Sequence, residues 1–146
     1  MRYQLYGGGG SPYSQKMRGI LHYRRLPFDW IQITPAIRAE IMHDWPPVIP
    51  LLRLPEDGSL HADSTPLAML LEERHSERSI VPTDPAMAYL SMLIEDMADE
   101  WVTKMMFHYR WDLAIDQAYS SRQIISDNTP GVRGEALAEA AQAIRD

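Results

Sequence analysis

The stretch Gly7-Gly8-Gly9-Gly10-Ser11-Pro12-Tyr13-Ser14 decides how the chain opens. A run of glycines stabilises the interior of neither a helix nor a strand, so these four form a loop that turns tightly or lets a ligand approach the backbone. Tyr3 to Tyr6, just before it, is a short apolar and aromatic strand. Ser11 ahead of Pro12 is the arrangement of a hydroxyl capping a helix whose first residue is proline. Met17, Ile20, Leu21 and Tyr23 give that helix a buried side as far as Arg25. Free N–H groups and partial positive charge at its start suit an anion or a thiolate, although a plain strand-to-helix turn has the same sequence. The Lys-Ser or Lys-Thr ending of a nucleotide P-loop is missing.

Working outward, Phe28 to Ile33 alternates as a second strand closed by Thr34-Pro35, and Ala36 to Trp45 reads as a short irregular helix stopped by Pro46-Pro47. Val48 to Leu54 is an apolar strand interrupted by Pro50. Pro55-Glu56-Asp57-Gly58 turns the chain into a further short strand around Leu60. Asp63-Ser64-Thr65-Pro66 starts a helix with Leu67, Leu70 and Leu71 on its apolar side, ending near His75. The order strand, helix, strand, helix, strand, strand, helix predicts an α/β sheet with an antiparallel edge. After a linker at Ile80 to Thr83, Asp84-Pro85 caps a long helix with Met87, Leu90, Ile94, Met97, Trp101 and Met105 on one stripe. Glu95, Asp96, Asp99 and Glu100 are expected on the opposite side. The helical pattern weakens from Tyr119 to Ser126, breaks at Asn128-Thr129-Pro130-Gly131 and resumes from Glu135 to Ile144.

The balance of 45% hydrophobic and 23% charged residues in a chain of 146 is that of a soluble globular protein. A net charge of -6 argues against a nucleic-acid partner. No apolar run approaches the ~20 residues of a membrane span, and the N-terminus lacks a signal-peptide core, which points to a cytoplasmic protein. With no cysteine, the chain has neither disulfides, thiolate metal sites nor a cysteine nucleophile.

Two further constellations accompany the glycine loop. A proline inside the apolar run Val48-Ile49-Pro50-Leu51 must sit at an edge, a bulge or a cis bond, and a cis bond leaves the preceding backbone free to pair with an extended ligand. Asp63-Ser64 sets a carboxylate beside a helix N-terminus, a pair that can hold the ammonium and carboxylate of an amino acid or simply cap the helix. Glu40-x-x-His43 and Glu72-x-x-His75 have di-metal spacing without the four long glutamate-bearing helices such a site needs, so no metal is expected. Tyr6 could act on a thiol, but its place ahead of the glycines suits packing.

In this order and at about these intervals, the strand before the glycines, Ser11-Pro12-Tyr13-Ser14, Ile49-Pro50 and Asp63-Ser64 resemble the glutathione transferase superfamily. The resemblance is close over residues 3–76 and looser over 84–111. It implies a thioredoxin-like βαβαββα domain over 1–79, followed by a short or truncated all-α region over 84–146. It also implies glutathione as co-substrate, held by Ser11, Tyr13, Ile49, Pro50, Asp63 and Ser64. Ser11-Pro12-Tyr13-Ser14 resembles the redox motif Cys-Pro-Tyr-Cys with both sulfurs replaced by oxygen, so Ser11, with Ser14 as rival, would hydrogen-bond the glutathione thiolate. Asp63 departs from the family's glutamate or glutamine. The activity implied is conjugation of glutathione to a small apolar electrophile, with Trp101, Met105 and His108 as a weakly signalled pocket and a homodimer as the assembly. The alternative is a non-catalytic glutathione-binding or protein-interaction module of the same fold.

Overall fold

The computed structural model describes residues 2–41 and 48–146. Four strands, β1 (Tyr3–Gly7), β2 (Phe28–Gln32), β3 (Leu51–Arg53) and β4 (Leu60–Ala62), form one sheet in the order β2-β1-β3-β4. β1 pairs parallel with β2, Tyr3 opposite Phe28 and Gly7 opposite Gln32, and antiparallel with β3, Leu5 opposite Leu52. Parallel neighbours need a crossover, and helix α1 (Pro12–Tyr23) supplies it. Helices α2 (Pro35–Ile41) and α3 (Ser64–Arg74) complete the βαβαββα order expected from the sequence, with the β3–β4 hairpin as the antiparallel edge. The expected helix over Ala36 to Trp45 is described only as far as Ile41, and His43 and Pro46-Pro47 lie outside the described residues.

Strand alternation divides the core. Leu5 and Leu52 point to one face and pack with Met17 and Leu21 of α1 and Leu67 and Leu71 of α3. Tyr6 and Leu51 point to the other, where Ile33, Ile37 and Ile41 cover them. α1 ends where Arg24 closes the helix and Arg25 takes a left-handed φ of 56°. Arg24 is buried, its guanidinium donating to the carbonyls of His75 and Glu77 at 3.0 Å each and pairing with Glu72. His75 meets the Tyr3 hydroxyl at 2.9 Å, so Glu72 and His75 both serve packing. Tyr6 does so too, its hydroxyl donating to Gln4 at 3.0 Å.

The all-helical region contains α4 (Pro85–Met97), a π-helical turn (Ala98–Val102), α5 (Thr103–Trp111), α6 (Ala114–Asn128) and α7 (Gly134–Arg145). Asp84 caps α4 by accepting the Met87 N–H at 2.9 Å. Where the apolar pattern weakens, between Tyr119 and Ser126, the helix nevertheless continues. Its buried residues there are Ser120 and Ser121, and Arg145 of α7 donates to Ser121 Oγ at 3.0 Å. A buried side made of serines leaves no apolar periodicity to read.

Candidate functional site

The glycine loop leads from the centre of the sheet into α1, and the two serines beyond it part company. Ser11 Oγ accepts the Ser14 N–H at 3.2 Å, the expected cap, and the side chain lines a cleft. Ser14 is fully buried, its Oγ accepting the Gly8 N–H at 3.3 Å. The Ser14 hydroxyl, named as the rival to Ser11, thus lies under the loop and does not line the cleft. The reason is helical phase. Ser14 and Met17 share the α1 face turned to the sheet, whereas Ser11 and Gln15 lie toward the opening.

The Ile49–Pro50 bond is cis, with Pro50 buried and Ile49 at the cleft wall. Asp63 precedes α3 with φ of 75°, a conformation costly for a residue with a Cβ, and its carboxylate caps the helix by accepting Thr65 N–H at 3.3 Å. Two cavities adjoin through Tyr13, Val48 and Ile49, which line both. The larger, about 800 Å³, holds the glycine loop and Ser11. The smaller, about 410 Å³, holds Asp63, Ser64 and Thr65. The start of α1 and the start of α3 thus border neighbouring cavities, with Ile49 of the cis bond between them. Tyr13 contributes its ring, because its hydroxyl donates to the Asp99 carbonyl at 2.9 Å.

The acidic residues lie opposite the apolar stripe, as expected, and Glu95 of α4 and Asp99 of the π turn are the ones that face inward. Lys16 of α1 donates to Asp99 at 2.6 Å, Thr65 Oγ1 at 3.0 Å and Ser64 Oγ at 3.2 Å, and pairs with Glu95. Burial disfavours this ammonium, but the bonds and charges of Asp99 and Glu95 outweigh that and hold its pKa above the ordinary lysine value. Asp63, Glu95, Asp96, Asp99 and Glu100 make the smaller cavity strongly acidic.

Trp101, Met105 and His108, expected as a pocket, line neither of these two cavities. Trp101 is 64% and Met105 59% exposed, and His108 points outward toward Asp112 and Tyr109. The side of the long helix that faces the sheet-bearing part runs through Glu95, Asp99, Thr103, Met106 and Arg110, and the last three line the larger cavity together with Phe107. The stripe read from the sequence is the outer face of the same rod, and the widened π turn shifts the phase of α5 relative to α4. α6 closes the cleft from above. Asp127 accepts the Gly10 N–H at 3.0 Å and Gln123 at 2.8 Å, Gln32 donates to the Asp127 carbonyl at 3.2 Å, and Arg110 donates to the Gly10 carbonyl at 2.9 Å. Among the described residues no cluster of three or more histidine, aspartate or glutamate side chains could hold a metal ion.

Residues 5–79 match the family described as glutathione S-transferase, N-terminal domain. The chain belongs to the glutathione S-transferase family. Solved glutathione S-transferases share the fold. The enzyme from Methylobacterium radiotolerans, in complex with glutathione sulfonate, is 24% identical, with 97% of this chain and 76% of that one covered at a TM-score of 0.65. The enzyme from Methylobacillus flagellatus, with glutathione bound, is 21% identical over 98% of this chain and 64% of that one, at 0.56. Glutathione transferase Omega 3C from Trametes versicolor is 19% identical over 98% and 71%, at 0.62. The chain thus spans 64% to 76% of these proteins' length, less than two-thirds of the Methylobacillus flagellatus enzyme. No protein with a curated description matches the sequence.

Within this glutathione S-transferase chain, sequence reasoning missed Lys16, Asp99, Arg110 and Asp127. Lys16 carried a signal, a charge beside Met17 on the packed side of α1. For Asp127 no signal exists in the sequence, since its partner Gly10 is 117 residues away.

Proposed function

We propose that the chain binds glutathione along the cleft and presents its thiolate to a small electrophile with an apolar body. The observation that supports this reading is the pair of adjoining cavities that hold Ser11 and Asp63–Ser64, with Ile49 of the cis Ile49–Pro50 step in the wall of both. The tripeptide's γ-glutamyl ammonium goes to the acidic cavity and Asp63, and its α-carboxylate to the start of α3, where Ser64 and the Lys16 ammonium stand together. The cysteinyl part pairs with the Ile49 backbone, which sets the sulfur over the start of α1. The Ser11 hydroxyl accepts from the Ser14 N–H, which leaves its own hydrogen to donate to sulfur. Donor and helix dipole together favour the thiolate, the proton leaving to solvent. The thiolate then forms the bond to the electrophile's carbon as the leaving group departs with the displaced electron pair. Met106, Phe107 and Ile124 offer the electrophile an apolar wall. The same reading makes 1–79 the glutathione-binding domain and 84–146 a helical domain that completes the cleft.

The test is the pH dependence of kcat/KM with a chlorinated aromatic electrophile. Ser11→Ala should raise the apparent pKa of the bound thiol and lower kcat/KM at neutral pH by about 10- to 100-fold. Unchanged turnover and pKa would remove the serine mechanism. A second reading, a glutathione-binding module without transfer, is favoured by the helical region, where Ser120, Ser121 and Ala141 are the only buried residues among those described. Retention on immobilised glutathione with no turnover on any electrophile would select it.

A further inference from the structure

We infer that the second substrate of this cleft carries an anionic group, a carboxylate or its equivalent, and that Arg110 recognises it; this rests on the glutathione reading above. The two cavities have opposite charge. The smaller has five carboxylates, whereas the larger is lined by Arg18, Arg38 and Arg110 against a single acid, Asp127. Asp127 is engaged by Gly10 and Gln123. None of the three arginines forms an ion pair among the described residues, and Arg18 stacks on the Trp30 ring at 5.3 Å. Three guanidinium groups against one carboxylate make this cavity attractive to an anion.

Glutathione does not answer that attraction by itself. With its α-carboxylate at the start of α3, it brings one further carboxylate, the glycyl end, to the larger cavity. Of the three arginines that line this cavity, Arg38 is the nearest in sequence to Ile49, and it is the one assigned to that end. Arg110 comes from the opposite side. It reaches down from α5 and spends one nitrogen on the Gly10 carbonyl and the Met106 sulfur, which leaves Nε and Nη1 to donate. The Gly10 carbonyl adjoins Ser11, so these donors stand beside the sulfur end of the cleft, next to the apolar wall. A molecule with an apolar body and a terminal carboxylate matches that pairing of wall and guanidinium.

The test compares binding of two conjugates by calorimetry, S-hexylglutathione and the same conjugate ending in a carboxylate. The acid should bind about tenfold tighter, the worth of one charge-assisted hydrogen bond, and the preference should shrink with added salt. In the R110Q protein the preference should fall to near unity. Because the readout is a ratio, a general weakening of the fold cancels. Equal binding of the two conjugates by the unmodified protein overturns the inference and leaves the glutathione reading standing. A preference that survives R110Q overturns the role of Arg110, as does an equal loss of both conjugates, which would assign it to the tripeptide. Failure of either conjugate to bind at all overturns both readings together.

Discussion

Gly7 has no room for a methyl group. A Cβ there would lie 2.7 Å from Ser14 Oγ, 2.8 Å from Ser14 Cβ and 2.8 Å from the Trp30 ring. Gly7→Ala should therefore destabilise the protein by about 1–3 kcal/mol, the usual cost of overpacking, seen as a lower midpoint in denaturant with the slope unchanged. Glu72 offers a second measurement at this scale. Burial works against its charged form, but bonds from the Ile80 N–H, the Ser79 hydroxyl and Arg24 prevail and keep its carboxyl below the ordinary value of 4.5. A depressed folded pKa gives stability that is complete above the unfolded value and lost as pH falls through the folded one. Glu72→Gln should flatten the acid limb below about pH 4.5, and at neutral pH should cost about 3–5 kcal/mol, because it leaves the buried Arg24 without its anion. Neither site could be read from the sequence alone, since Arg24 and Glu72 are 48 positions apart. Ser11 was legible because a cap acts on its own helix; the difference between Ser11 and Ser14 was not, because only the packed sheet defines which face of α1 is inside.

Elements that span both parts of the chain hold the cleft together. Lys16 is the clamp, joining α1 to the start of α3, to α4 through Glu95 and to the π turn through Asp99. Its raised pKa has the opposite sign from Glu72: the contribution is complete below the unfolded value of 10.5 and fades as pH rises through the folded one. Lys16→Met should cost about 1–3 kcal/mol at neutral pH and remove the part of the alkaline instability that begins above about pH 10.5, followed by thermal melts across pH. The latch between α6 and the glycine loop predicts a different outcome. Asp127→Ala deletes the acceptor of the Gly10 N–H on an exposed surface, so stability should fall by less than about 1 kcal/mol while amide exchange of the loop speeds up. Helix and strand order were legible from caps, prolines and alternation, which are local. The facing of α4 was not. An apolar stripe and an acidic side are both visible in the sequence, and which one turns inward is decided by the half-buried Lys16, which pairs with Glu95 and Asp99.

For the whole molecule, the outer face of the long helix is the unfinished surface. Met87, Leu90, Ile94, Met97, Trp101 and Met105 succeed one another along it, and all are exposed. Monomers rarely leave a continuous apolar stripe in water, and the family resemblance proposes a second copy of the chain as its cover. Aromatic and long aliphatic side chains at the centre of such a contact carry most of its energy. Sedimentation of the unmodified chain at micromolar concentration is therefore expected to show a dimer. Trp101→Glu should raise the dissociation constant by at least tenfold, since it removes the aromatic anchor and sets a carboxylate, with only Lys104 beside it, against an apolar partner. The variant separates this surface from the cleft. Trp101 lies outside both cavities, so the monomer should still bind S-hexylglutathione, and loss of binding together with loss of the dimer would mean that the partner helps to build the site. A stable monomer of the unmodified chain would instead leave the stripe without its proposed occupant and favour a different protein as the partner.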